Sequence, residues 1–293
     1  MIYWHAVKKL SLLRFGLCVG LLSGIWIART QQPVRGDLKL NKIRENIYEI
    51  SPVPEVSGAG GNVTVVLTRE GVILVDDKYD YDHDGILAKV KTLTDKPIRY
   101  VINTHQHGDH TGGNAKMLPM GVQLMISKQA RENMVHLKMP GLPQISFENN
   151  LQVSLGDDTA EAFHFGRAHT NGDSVVLFRA QRVLSTGDMC VRGDEFPPLI
   201  DYSAGGSIME WTKTLDSVLK LDFDTIVPGH GPVGTKQDLV AFRNLLDRTR
   251  NRVHQMNTVK KSKDEIGNML MTEFHWTPGR LKSSLDGIVA EMR

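Results

Sequence analysis

Only two cysteines, Cys18 and Cys190, occur in the 293 residues, and acidic residues are missing from the first thirty. Each absence excludes something. Should the segment holding Cys18 be removed, Cys190 stands alone and no intramolecular disulfide can form. An exported domain of that kind depends on its core and on any bound metal. The acid-free start carries Lys8, Lys9, Arg14 and Arg29; taking these four from the formal charge of +2 leaves −2 for the remainder. The folded part therefore offers no global electrostatic attraction for nucleic acid. No repeat of solenoid period and no low-complexity tract is present. The glycine cluster Ser57-Gly58-Ala59-Gly60-Gly61 lacks the Lys-Ser/Thr and following helix of a P-loop, so it is expected to be a mobile loop rather than a phosphate cradle.

Hydrophobic content of 41% and charged content of 23% are ordinary for a folded protein able to bury a core. Lys8, Lys9 and Arg14 precede the apolar run of residues 15–28, which is short for a spanning helix of about 20 residues. Ala28-Arg29-Thr30 offers a small-x-small cleavage site. Residues 1–30 thus read as a signal peptide or, if retained, an N-terminal anchor, and the remainder as periplasmic or secreted. Cys18 has no convincing lipobox before it.

Residues 31–60 form a polar, turn-rich lead-in with Pro33, Pro52 and Pro54. The β-branched runs 62–67 and 72–75 flank Arg69-Glu70-Gly71 as a hairpin, the second stopping at Asp76-Asp77. A helix is expected over 85–93 and a strand over 99–103, then a strand over 122–126 and a helix over 127–136. Strands follow at 162–165, 175–178 and 182–185. In residues 207–221, Ile208, Trp211, Leu215, Val218 and Leu219 share one helical face. A short strand over 224–227 ends at Pro228-Gly229. Residues 236–293 read as helical, with a capping box at Ser262/Glu265 and an N-cap at Thr277 before Pro278.

The chemistry concentrates after the apolar run Tyr100-Val101-Ile102. His105-Gln106-His107-Gly108-Asp109-His110 packs three of eleven histidines and one aspartate into six positions. Imidazole and carboxylate groups at that density are a zinc or iron donor set, because four ionisable groups at one strand end would crowd one another without a shared cation. His169, Asp188 and His230 lie at three further strand ends. A single histidine or aspartate beside glycine is more often a turn or cap residue. Together, however, seven donors exceed one tetrahedral zinc and suit two ions sharing a carboxylate and a solvent oxygen.

The run from His105 to His110 resembles the signature of the metallo-β-lactamase superfamily. His169, Asp188 and His230 resemble its later motifs, in order, so the likeness covers roughly residues 45–235. It implies an α/β (α+β) fold, a four-layer αβ/βα sandwich with metals at one edge. A catalytic domain would span 40–235 and a helical C-terminal segment 236–293. By the same resemblance, His105, His107 and His169 would hold a first metal, and Asp109, His110 and His230 a second. Asp188 would bridge the two, Asp109 would also belong to the catalytic groups, and Asp76 would orient the loop without binding metal. Two zinc ions would supply an acidified water, so no serine or cysteine nucleophile is required; Cys190 reads as a packed small residue.

Such a fold does not settle the substrate. Asp188 resembles the bridging aspartate of glyoxalase II-like thioesterases and lactonases, whereas the familiar zinc lactamases have cysteine or serine at the comparable place. Export favours a β-lactam over a glutathione thioester. The expectation is an exported dinuclear zinc hydrolase of an amide or ester carbonyl in a small-molecule substrate, with a β-lactam as named candidate. A thioesterase or lactonase is the alternative, and a mononuclear iron enzyme of the persulfide dioxygenase type the second. The nuclease branch lacks a basic exosite here, and the flavodiiron variant has glutamate where His107 stands. A metal-stabilised binding protein without turnover fits poorly with a complete ligand set. Tyr202 and Ser203 read as a helix-start turn or a substrate-facing pair, and His83 and His164 as structural or exposed.

Overall fold

A computed structural model of the chain describes residues 36–292 apart from 57 and 195. The expected signal segment lies outside the described residues. Along the chain run β1 (Asp37–Lys42), β2 (Ile47–Val53), β3 (Val63–Leu67), β4 (Val72–Val75), α1 (His83–Lys91) and β5 (Ile98–Ile102). Two one-turn helices, α2 (Gly108–Thr111) and α3 (Asn114–Met117), precede β6 (Gln123–Ser127), α4 (Lys128–His136) and β7 (Ile145–Phe147). A second series follows: β8 (Asn150–Leu155), β9 (Asp158–Phe163), β10 (Val175–Phe178), β11 (Val183–Val191), α5 (Ile208–Val218), β12 (Thr225–His230) and β13 (Gly234–Thr235). Three helices close the chain, α6 (Lys236–Thr258), α7 (Lys263–Phe274) and α8 (Pro278–Glu291).

The strands build two sheets, ordered β1-β2-β3-β4-β5-β6-β7 and β13-β12-β11-β10-β9-β8. The pairs β4–β5, β5–β6, β6–β7 and β11–β12 are parallel; the other pairings are antiparallel. Alternation along each strand decides which layer a side chain joins. In β4, Ile73 and Val75 enter the core between the sheets, while Val72 and Leu74 face the α1 side with Ile86 and Val90. In β10, Val176 and Phe178 enter the same inter-sheet core, while Val175 and Leu177 join Trp211, Leu215 and Leu246 of the helices outside. Strands buried on both faces read as unbroken apolar runs, and this is why β4 and β10 stand out in the sequence. The result is the four-layer αβ/βα sandwich with helices α6–α8 added on the second sheet's outer face.

Helix starts follow local chemistry. Ser207 caps α5 by accepting the N–H of Glu210, and Thr235/Asp238 and Ser262/Glu265 form reciprocal capping boxes for α6 and α7. Thr277 caps α8 with Pro278 at its first position. Burying Trp211, Leu215 and Val218 of α5 contributes about 1.5–3 kcal/mol each.

Four readings of the sequence need correction. The lead-in 31–60 contains β1 and β2, and Ile47 and Ile50 of β2 are fully buried on opposite faces of the sheet; Pro52 hides this, because it sits where β2 pairs with the outermost strand β1. The strands β7 and β8 were not expected, being short or half-exposed. β11 does not stop at Ser185 but runs through Asp188 to Val191, and β12 extends through Pro228-Gly229 to His230. Register shifts at Ser185/Gly187 and Gly187/Val191 make this continuation irregular. Gly187, at φ 50°, sits where a Cβ would strike the Thr104 side chain at 2.3 Å.

Candidate metal centre

The C-terminal ends of β4, β5, β11 and β12 and the turn before β10 meet at one edge of the sandwich. All seven sequence-predicted donors gather there. Three groups have donor atoms within 4.8 Å of one another: His105/His107/His169, His105/His110/Asp188 and Asp109/His110/His230. His105 and His110 are fully buried, whereas the His107 and Asp109 side chains keep 24% and 21% exposure. The solvent side of the site is therefore the His107–Asp109 side.

Hydrogen bonds on the far side of each ring decide which nitrogen faces inward as a lone pair. His169 Nδ1 donates to the Leu199 carbonyl at 2.7 Å, which leaves Nε2 bare. His107 Nε2 donates to the Asp201 carboxylate at 2.8 Å, which leaves Nδ1 facing inward. The Thr104 hydroxyl donates to Asp76 at 2.8 Å, so it can only accept from His105 Nδ1, 3.1 Å away. His105 Nε2 is then bare as well. These inward nitrogens crowd together, His107 Nδ1 lying 2.9 Å from His169 Nε2 and 3.1 Å from His105 Nε2. Lone pairs that close repel unless a cation sits among them.

The second group repeats the pattern. His110 Nδ1 donates to Asp76 at 2.8 Å, so its bare Nε2 faces Asp188 Oδ1 at 3.3 Å and Asp109 Oδ2 at 3.7 Å. Neither His110 Nε2 nor Asp188 Oδ1 has a hydrogen-bond partner although both are buried. His230 Nε2 lies 3.2 Å from Asp109 and 3.4 Å from Asp188 Oδ1. Asp188 Oδ2 points the other way, 3.6 Å from His169 Nε2. Imidazole nitrogens and carboxylate oxygens without protons between them fit a zinc-type cation.

Electrostatics agree. Burial holds His105 well below, and His169 below, the ordinary imidazole pKa. Burial opposes charge on His107 too, but its bond to Asp201 and the nearby Asp109 carboxylate raise it. Burial also opposes charge on His110, yet Asp109, Asp76 and Asp188 together raise it well above the usual value. Each donor group thus has one histidine, His107 or His110, on which positive charge is favoured while no metal is bound. Asp109 and Asp188 pay desolvation, but the histidines around them hold both well below the carboxylate range.

The supports come from several elements. Asp76, at φ 64° after β4, accepts the Thr104 N–H at 2.7 Å in addition to the Thr104 hydroxyl and His110. Asn62 braces the His230 strand through the carbonyls of Pro228 and Gly231, at 3.0 and 2.8 Å. Gly60 and Gly61 are buried, and a Cβ on Gly61 would meet the His110 ring at 2.3 Å, so this end of the glycine run packs on the site rather than moving freely. Phe196 stacks on His230 at 5.3 Å, and Trp211 lies 6.2 Å from His169. Burial raises the Tyr79 phenol, with Asp109 adding to it, so this half-buried side chain keeps its proton.

A family model described as the metallo-beta-lactamase superfamily matches residues 56–230, the stretch that holds Asp76 and all seven donors. The chain belongs to the metallo-beta-lactamase superfamily. It is an enzyme, a metal-dependent hydrolase. A metallo-beta-lactamase type 2 of Bacillus sp. (strain 170) is 25% identical over 263 residues, covering 82% of this chain and all of the relative. Among solved structures, a metallo-beta-lactamase from Pontibacter korlensis superposes with a TM-score of 0.65 at 22% identity, covering 72% of this chain and 99% of that one. Another from Pseudomonas aeruginosa, in a mono-zinc form, gives 0.63 at 20% identity, covering 74% and 98%.

Within this superfamily member, other expectations can be placed. Cys190 is buried in the helix-side core, and burial pushes its thiol up, which suits a packed residue and not a nucleophile. Tyr202 and Ser203 form a one-turn start before α5, with Tyr202 hydroxyl donating to Glu291 at 2.8 Å rather than facing the donors. His164 donates to the Asp173 carbonyl at 2.8 Å, and neither it nor His83 joins a donor group. Two groups escaped the sequence reading. Asp201 reaches His107 across 94 positions of chain; its only sequence signal is the Asp201-x-Ser203 cap pattern. Arg280 of α8 is coupled to Asp188 and Asp109: burial lowers its pKa and those carboxylates oppose the shift.

Proposed function

We propose that the mature protein is an exported dinuclear zinc hydrolase that opens an amide or ester carbonyl, with β-lactams as the named substrate class. The observation that carries two ions rather than one is the orientation of Asp188. Its Oδ2 faces the His105/His107/His169 side and its Oδ1 faces His110 and His230. A single carboxylate so placed is suited to join two cations. In this reading His105, His107 and His169 hold one ion, and Asp109, His110 and His230 the other, with Asp188 shared.

Bound zinc would supply Lewis acidity for the carbonyl oxygen and a water acidic enough to be deprotonated near neutral pH. The chain supplies the remainder. Asp109, ionised and partly exposed, stands where its carboxylate can accept a hydrogen bond from a water entering on the solvent side and orient it. The Tyr79 phenol, raised by burial and by the Asp109 charge, keeps the proton that a hydrogen-bond donor needs. Arg280 gives the site a positive charge for an anionic group on the substrate. Residues 1–30 act as the leader, residues 40–235 as the catalytic domain and 236–293 as a helical flank. Among the described residues no helix is long and apolar enough to cross a membrane.

A thioesterase or lactonase is the second reading, favoured by an aspartate at position 188. Metal analysis of the full chain, with a panel of β-lactam, lactone and thioester substrates, decides between them. About two zinc ions per chain and chelator-sensitive β-lactam opening are expected. Faster thioester or lactone turnover would transfer the assignment to the second reading. One iron per chain with sulfur-dependent oxygen uptake would overturn both.

A further inference from the structure

Among the described residues no hydrogen bond or ion pair joins the C-terminal helix α8 to a donor residue, yet its hydrogen bonds end on the segment that orients two of them. Residues 199–207 lie between β11 and α5. Leu199 supplies the carbonyl that accepts from His169 Nδ1, and Asp201 the carboxylate that accepts from His107 Nε2. The Asp201 N–H also donates to the His169 carbonyl at 2.9 Å. If this segment shifts, both rings lose the partner that fixes their tautomer.

The face of α8 turned to this segment carries Ser284, Gly287 and Glu291, spaced as one stripe of a helix. Ser284, fully buried, accepts the Ile200 N–H at 3.2 Å and donates to the Ile200 carbonyl at 2.9 Å. The Ile200 backbone has therefore exchanged strand or helix partners for one hydroxyl. At Gly287 the helix lies flush on Tyr202, where a Cβ would come within 2.0 Å of the ring. Glu291 accepts from the Tyr202 hydroxyl at 2.8 Å, the Ile208 N–H at 3.1 Å and the Ser207 hydroxyl. Its charge therefore sits on the first turn of α5, where a carboxylate is favoured.

Resting on the metal-centre reading above, we propose that α8 is a strap for the first metal site. Through Ser284, Gly287 and Glu291 it holds residues 199–207, so that Asp201 and Leu199 preset His107 and His169 before metal arrives. Asp201 is the direct positioning residue, and Glu291 and Ser284 act through it. Outer partners of metal-binding histidines commonly change metal affinity by about 10–100-fold. A strap contributes part of that by lowering the ordering cost at binding.

The test uses the full chain with Asp201→Asn, Ser284→Ala, Gly287→Ala and Glu291→Gln, plus Lys282→Ala on the exposed face of α8 as control. Two readouts are needed: imidazole ¹⁵N shifts of the metal-free protein, which report tautomers, and zinc titration against a competing chelator. Asp201→Asn is expected to move the His107 signals and to weaken the first zinc by about 10–100-fold. Gly287→Ala and Glu291→Gln should move the His107 and His169 signals in the same sense and weaken the first zinc by about tenfold. His230 signals and the Lys282→Ala protein should stay as in the parent. Should Ser284→Ala, the mildest change, and Glu291→Gln leave His107, His169 and the first zinc unchanged while the parent binds zinc, the strap is refuted. A parent that binds no zinc, but whose His107 and His169 signals still follow the α8 variants, overturns the metal reading and keeps the positioning role.

Discussion

Replacing Asp76 with asparagine is the sharpest perturbation of the site, because shape and backbone are nearly preserved. Position 76 has φ 64°, a left-handed conformation that asparagine tolerates as well as aspartate. The residue is 2% exposed, and its side chain accepts three donors: Thr104 N–H at 2.7 Å, Thr104 O–H at 2.8 Å and His110 Nδ1–H at 2.8 Å. A carboxamide has one acceptor oxygen. In one orientation its NH2 opposes the Thr104 N–H, and in the other it opposes His110. Either choice loses a charge-assisted hydrogen bond worth about 1.5–3 kcal/mol and leaves a buried N–H unsatisfied at about 1–3 kcal/mol. The sum, about 2.5–6 kcal/mol, brackets the roughly 3–5 kcal/mol that breaking a buried charged pair usually costs. Urea denaturation of the chelator-treated protein should register that loss through a lower midpoint. Zinc titration should show the second ion weakened by about 10–100-fold, since His110 loses the bond that turns Nε2 inward. A stability change below about 1 kcal/mol with unaltered zinc binding would refute the reasoning, because Asp76 would then be replaceable by any polar side chain.

The same geometry predicts the pH behaviour of the metal-free protein. His110 and His107 are raised, so their contribution is present below about pH 6.5 and is lost as pH rises through the raised values. Asp109 and Asp188 are depressed, so theirs is present above about pH 3.8 and is lost as pH falls through the depressed values. His105 and His169 are lowered, so stability also falls as pH drops below about 6.5. Denaturation midpoints should therefore peak near about pH 6.5, and zinc should stabilise more at pH 8 than at pH 6; a metal-free protein whose midpoint rises from about pH 6.5 to 8 contradicts this. Asp188→Ala should remove one of two zinc ions in metal analysis, and unchanged occupancy would exclude the bridging role. Arg280→Ala should raise KM for an anionic substrate by about tenfold or more and leave kcat nearly unchanged. A neutral ester should be indifferent to that change, and an equal loss on both substrates would place Arg280 in structural support instead.

Local chemistry made much of this legible in advance. His105, His107, Asp109 and His110 stand within six positions, so a shared cation could be inferred without a fold. The all-apolar runs at 72–75 and 175–178 are buried on both faces, and the Ser262 and Thr277 caps act within four residues of themselves. The strands β1 and β2 are hidden in the sequence because β1 is mostly polar and half-exposed and β2 holds Pro52, which only its pairing with the edge strand makes acceptable. Likewise the local sequence places Asp188 and His230 beyond their strands. The irregular pairing of β11 with β12 and the contact of Gly187 with Thr104 carry both strands further, and neither contact is local in the sequence.

By itself, the sequence determined the candidate donors: which imidazoles and carboxylates are available, and near which strand ends. Only the tertiary structure decided which nitrogen of each ring faces inward. That choice depends on Asp76, Leu199 and Asp201, which lie 34, 30 and 94 positions from His110, His169 and His107. Only the folded chain could also bring Ser284 and Glu291 under the segment that holds two of those partners. The physical reason is that a hydrogen bond fixes a tautomer through position and direction in space, and separation along the chain constrains neither.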